Sequence, residues 1–104
     1  MDLDDALETF IVEARELLEN MESALLAIES ADEKDELINA IFRAAHTIKG
    51  SSGLFSLNHI VAFTHVVESV LDKVRGGKLL LADQLVVLLL ACCDHMGHQI
   101  NALA

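Results

Sequence analysis

The stretch KDELINAIFRAAHTIKGSSGL, residues 34–54, carries two overlapping patterns. Leu37, Ile38, Ile41, Ala44, Ala45 and Ile48 recur every three or four residues, the apolar stripe of a helix with one buried face. Phe42, His46, Lys49, Gly50 and Gly53 share a second face at offsets of three and four, so His46 is predicted to point outward or to sit at the edge of the stripe. Two glycines within the same segment weaken a helix, and they need a compensating reason.

Upstream, Leu3, Leu7, Phe10, Ile11, Ala14, Leu17, Leu18, Met21, Leu25 and Ile28 form one stripe, which predicts a long first helix over 3–28 with Asp2 or Asp4 at its cap. Residues 29–34 break that pattern. Ser30 with Glu33 has capping-box spacing for the second helix, and Asp32 is a rival cap. Downstream, Ser56 or Asn58 can cap a third helix over 57–75, with Ile60, Phe63, Val67, Val70, Leu71 and Val74 on its core stripe. Gly76-Gly77 ends it. Asp83 can cap a fourth helix over 83–103, and the run Leu85 to Leu90 is apolar all round, which suits a helix packed on several sides. Four helices with short connections predict an all-α, antiparallel four-helix bundle in a single domain over 1–104. The pattern is still apolar at Ala102-Leu103-Ala104, which suggests a fragment of a longer protein and leaves open a further C-terminal helix.

Composition agrees with helices. The 104 residues contain no proline, tryptophan or tyrosine and only five glycines, so the punctuation of a many-turned sheet protein is missing. The net charge of -10 is uneven: residues 1–36 hold thirteen acidic and two basic side chains, residues 37–104 four acidic and five basic. An acidic chain repels phosphate backbones, which argues against nucleic acid as a partner. Cys92 and Cys93 are adjacent and give no disulfide framework, in keeping with a reducing compartment. The acidic start is unlike a signal peptide, and the longest apolar run, Leu85 to Cys93, is too short to span a bilayer. A soluble, cytoplasmic protein without membrane insertion is predicted.

His46 has the neighbours that a phosphoryl acceptor needs. Lys49, at i+3, is a cation that can offset phosphate charge, and Gly50, at i+4, leaves room for its oxygens. Spacing alone also fits an ordinary surface histidine beside a packing glycine. The stretch from Phe42 to Gly53, however, resembles the His-x-x-Lys-Gly motif of histidine-containing phosphotransfer domains. With Phe42-Arg43-Ala44-Ala45 ahead of it, it is similar to the N-terminal phosphotransfer domain of CheA-type chemotaxis histidine kinases. The likeness continues through Thr64-His65-Val66-Val67-Glu68 to Gly76. Ser51-Ser52 departs mildly from the glycine and alanine often found there.

The resemblance implies that His46 is phosphorylated, that Glu68 hydrogen-bonds its other ring nitrogen, that Lys49 lies near the phosphate, and that His65 is an accessory histidine. Gly50 and Gly53 would keep the imidazole accessible. It further implies an N-terminal piece of a larger chemotaxis kinase with no autonomous catalytic activity. The partners would be the ATP-binding domain of a CheA-type kinase and a response-regulator receiver domain. No cofactor would be bound by this domain, since ATP and magnesium would come with the partners. Phe42, Leu54 and Phe55 are expected near the docking patch, on helices one and two. An acceptor at Glu68 would fix Nδ1 as the protonated nitrogen and free Nε2 to attack phosphorus.

Rival readings are weaker. Cys92, Cys93, His95 and His98 fall within seven residues, but there is no second pair of the kind structural zinc sites use, and cysteines in an apolar helix are more often core. His65-x-x-Glu68 is the reverse of the Glu-x-x-His pairs of di-iron bundles. No phosphate loop, nucleophile elbow or kinase motif set is present. The remaining alternative is a helical docking adaptor with no phosphorylated residue.

Overall fold

The structure, a computed structural model, describes residues 2–104. Four helices follow one another: α1 (Leu3–Ala27), α2 (Lys34–Leu54), α3 (Asn58–Arg75) and α4 (Asp83–Asn101), with a single 3-10 turn at Ile28–Ser30 after α1. Each packs against its neighbours around a ring, α1 on α2 and α4, and α3 on α2 and α4, with α2 and α3 the most extensive pair. The bundle measures 44 × 21 × 19 Å. The predicted stripes meet along its axis. Phe10, Ile11, Ala14, Leu18, Met21 and Leu25 of α1 join Ile38, Ile41, Ala44, Ala45 and Ile48 of α2. Ile60, Val67 and Leu71 of α3 and Val86, Leu89, Cys93, Met96 and Ile100 of α4 complete the core.

The helix ends depart from the sequence expectations in instructive ways. Asp2 does cap α1, accepting from the Asp5 N–H at 2.9 Å. Neither Ser30 nor Asp32 caps α2, whose cap position is Glu33 without a side-chain bond. The Ser30 hydroxyl instead donates to the Ala27 carbonyl at 3.3 Å, because the chain leaving α1 tightens into the 3-10 turn and takes that side chain with it. Neither Ser56 nor Asn58 caps α3, which begins after Leu57. Ser56 is occupied with ending α2: it lies at φ 55, in the left-handed region. Its N–H donates to the Gly53 carbonyl at 3.1 Å, and that of Leu57 to Ser52 at 3.0 Å. This is the pair of bonds that closes a Schellman motif. The same motif ends α3, with Gly77 at φ 74, its N–H on Val74 and that of Lys78 on Lys73. Asp83 is not the cap of α4 but its first residue, after Ala82. It lies beside Glu29, whose carboxyl it raises above the ordinary range, first by accepting a hydrogen bond from the protonated form and then by repulsion between the two charges.

The apolar run on α4 does not signal burial on all sides either. Val87 and Leu88 are 66% and 56% exposed. A helix at the corner of a four-membered ring has two neighbours, α1 and α3 here, and its outer arc faces solvent whatever its composition. Leu3, at the head of its stripe, is likewise exposed. No helix among the described residues is long and apolar enough to cross a membrane.

Candidate functional site

Antiparallel packing of α2 and α3 sets His46 opposite Glu68. The apolar stripe of α2 turns Ala44, Ala45 and Ile48 into the core, which leaves His46 on the outer edge with its side chain 65% exposed. On α3, Val67 and Leu71 are buried beside Glu68, so its carboxyl group is drawn into the interhelical seam and is 9% exposed. Its two oxygens are both used. Oε1 lies 3.0 Å from His46 Nδ1, and Oε2 accepts from Lys49 Nζ at 2.7 Å.

That geometry fixes the chemistry of the imidazole. An ionised carboxylate only accepts, so Nδ1 donates, and in the neutral ring Nε2 carries the lone pair. Burying a carboxylate without a partner costs several kcal/mol, and the Lys49 ammonium supplies the compensating charge. Lys49, expected to wait beside the phosphate position, is therefore engaged with Glu68 in this structure and itself mostly shielded. The result is an exposed nucleophilic nitrogen on the middle of a helix, oriented from behind by a buried ion pair.

The glycines leave this face of α2 bare. A Cβ built at Gly50 or at Gly53 meets nothing within 4 Å. Neither position has φ in the left-handed region. Packing gives no reason for glycine at either position, and Gly50, in the helix interior, weakens the helix by about 1 kcal/mol against alanine. The missing side chains make sense for a body arriving from outside.

Other predicted residues separate into groups. Phe42 is half-buried one turn before His46, its ring within 6° of parallel to the imidazole. Leu54 is 84% exposed at the end of α2. Phe55 is not part of that exposed patch: it packs on Phe10 of α1, ring centroids 5.5 Å apart, because the turn after Leu54 folds it back onto the bundle. His65 is exposed one turn before Glu68, but among the described residues its side chain makes no hydrogen bond, so it is not drawn into the bonded group. Ser52 is completely buried and turned away from the accessible face. On α4, Cys93 is buried and His95 rests on the Phe63 ring, centroids 4.5 Å apart. No group of three or more His, Cys, Asp or Glu among the described residues is arranged to hold a metal ion.

Sequence reading missed the Lys49–Glu68 ion pair and the position of Arg75, whose guanidinium lies 4.2 Å from the centre of the Phe42 ring. Both are contacts between α2 and α3. The antiparallel register that aligns 46 with 68 also sets 42 near 75, so the signal was available once one contact was known.

A four-helix bundle with an exposed imidazole held from behind by a buried carboxylate on the next helix is a phosphotransfer scaffold, and the comparisons agree. The family model of the Hpt domain matches residues 5–99, and the chain belongs to that family. It is 41% identical over 102 residues to the chemotaxis protein CheA of Salmonella typhimurium, covering 98% of this chain and 15% of that protein. To CheA of Rhizobium meliloti it is 38% identical over 102 residues, covering 98% of this chain and 14% of the relative. The chain thus spans about one seventh of the length of these curated relatives. Among solved structures, the CheA phosphotransferase domain from Thermotoga maritima superposes with a TM-score of 0.91 at 30% identity, covering 99% of this chain and 98% of that one. The phosphorylated P1 domain of CheA3 in complex with CheY6 from R. sphaeroides shares the fold, with a TM-score of 0.89 at 24% identity over 96% of this chain and 78% of that one.

Proposed function

We propose that His46 relays a phosphoryl group within a chemotaxis two-component system. In the first transfer, Nε2 attacks the γ-phosphorus of ATP held by a separate kinase domain; the N–P bond forms as the bond to the β,γ-bridging oxygen breaks and ADP leaves. In the second, a carboxylate oxygen of a receiver-domain aspartate attacks the same phosphorus and the N–P bond breaks, returning His46 to neutral imidazole. Glu68 holds the ring in the reactive tautomer and stabilises the positive charge that develops on it. Lys49 balances Glu68 at rest and is close enough in sequence to turn toward the phosphate once it is present. ATP and magnesium come with the partners, and this domain supplies the acceptor. The reading places the chain in the cytoplasm, within a larger CheA-type kinase, with partners docking over α1 and α2 around His46 and with Phe42 and Leu54 at the contact.

One observation carries this reading: an imidazole 65% exposed whose Nδ1 is tied to a buried carboxylate. The names of the relatives support it, and the phosphorylated P1 domain of CheA3 in complex with CheY6 is an example of the assembly in which the second transfer would occur. A docking adaptor with no phosphorylated residue has no use for that tie. The test is incubation with a CheA-type kinase core and labelled ATP, comparing the native domain with His46→Gln. The native protein takes up an acid-labile label that a receiver then removes, and the variant takes up none while keeping its helicity. Absence of label on the native domain, or equal label on the variant, would sink the proposal.

A further inference from the structure

The Glu68 hydrogen bond pins one nitrogen of the His46 ring and leaves the ring free to swing about that point. Two groups outside the bonded trio bear on this freedom. Phe42, one turn N-terminal, presents a ring within 6° of parallel to the imidazole, centroids 6.2 Å apart, the separation of an offset stack. The far end of α3 reaches over Phe42 in turn: the Arg75 guanidinium carbon lies 4.2 Å from its ring centroid, within cation–π range. Asp72 on the preceding turn, 3.9 Å from the guanidinium, is the only carboxylate paired with Arg75 among the described residues, and the contact is too long to satisfy it. Phe42 is half-buried against the core on its inner side. A guanidinium on α3, a phenyl ring on α2 and the reactive imidazole thus form one continuous series.

We propose that Arg75 is a positioning residue for phosphoryl transfer: by clamping Phe42, it limits the swing of the His46 ring that the Glu68 bond leaves free, and so holds Nε2 in line for attack. The inference rests on the phosphotransfer reading and adds to it a residue 29 positions away in sequence from the acceptor. Effects of this kind on alignment are felt in the rate of the chemical step more than in binding. Arg75 is not itself a catalytic residue, since it touches Phe42 and not the reacting nitrogen.

The experiment measures phosphorylation by a kinase core over a range of domain concentrations for the native domain, Arg75→Ala, Arg75→Lys, Phe42→Leu and the double variant Arg75→Ala/Phe42→Leu. Removing the clamp, in Arg75→Ala, lowers kcat by about two- to fivefold, the rate equivalent of a single exposed cation–aromatic contact, with KM little changed. Arg75→Lys restores most of the rate, because a lysine can also sit over a ring. Phe42→Leu shows a similar loss of kcat, with a rise in KM from its place at the partner contact, and the double variant has the kcat of Phe42→Leu alone, because Arg75 acts through that ring. In the free domain, NMR relaxation of the His46 ring shows a larger amplitude of motion in Arg75→Ala and in Phe42→Leu. Losses that multiply in the double variant, or an Arg75→Ala loss that appears in KM, would mean that Arg75 meets the partner directly and would overturn the proposal. So would a lowered melting temperature with native rate and native ring motion. If the native domain takes up no label, or His46→Gln keeps it, the phosphotransfer reading itself fails, and the ring-motion measurement still judges the clamp.

Discussion

At the scale of single residues, the site depends on one carboxylate serving two partners. Glu68 accepts from a ring that must stay accessible and from an ammonium that makes its burial tolerable. Replacing it by glutamine keeps an acceptor for Nδ1 but removes the charge that favours a developing imidazolium. Hydrogen bonds to charged groups exceed neutral ones by about 1 kcal/mol, so Glu68→Gln is predicted to slow phosphorylation roughly fivefold while leaving the bundle folded. Initial rates with a fixed kinase core, set beside circular dichroism, check this; a native rate would remove Glu68 from the mechanism. His46, Lys49 and Glu68 were each legible as individuals, through the motif around Gly50 and the likeness that continues to Glu68. That the latter two bind one another was not, because a lysine three residues from a histidine says nothing about which way its flexible stem turns. Only the buried carboxylate on the facing helix decides that.

At the scale of elements, the stripes located all four helices to within a residue or two, since hydrophobic period is a property of a whole segment. The caps were read less well. Ser30, Asp32, Ser56, Asn58 and Asp83 are all capable of capping, and local sequence does not say which will instead close a turn or meet a neighbour such as Glu29. Two predictions of opposite functional sense follow from helix α2. Ser56 holds a left-handed conformation that glycine adopts without penalty, so Ser56→Gly is expected to stabilise the protein by about 0.5–1 kcal/mol with unchanged transfer. Gly50 faces open space in a helix interior, so Gly50→Ala is expected to stabilise by a similar amount, about 1 kcal/mol, but to slow transfer by placing a methyl group on the partner's path. Urea unfolding and phosphotransfer assays on both variants separate the cases. A Gly50→Ala domain that transfers at the native rate would show that the face does not need its bareness.

At the scale of the whole molecule, charge is uneven along the chain: thirteen of the seventeen acidic residues lie in the first 36, whereas five of the seven basic ones follow, among them Lys49 and Arg75. The core, by contrast, carries an ionisable group with no charged partner. Burial pushes the Cys93 thiol up to about 12 from the ordinary 9, with the neighbouring Cys92 next in effect. In the unfolded chain this thiol ionises near pH 9, while the folded protein keeps its proton, so stability is full below pH 9 and falls as pH rises toward 12. Urea midpoints measured from pH 8 to 11 should decline, and the decline should be shallower in Cys93→Ala; parallel slopes would rule the thiol out. The position of His46 on the middle of an unbroken helix has one more consequence. A lone ring on a stiff rod offers a single berth, and two visitors cannot share it. Whatever loads the group must depart before anything can collect it, so the traffic through this domain is bounded by how quickly each caller lets go.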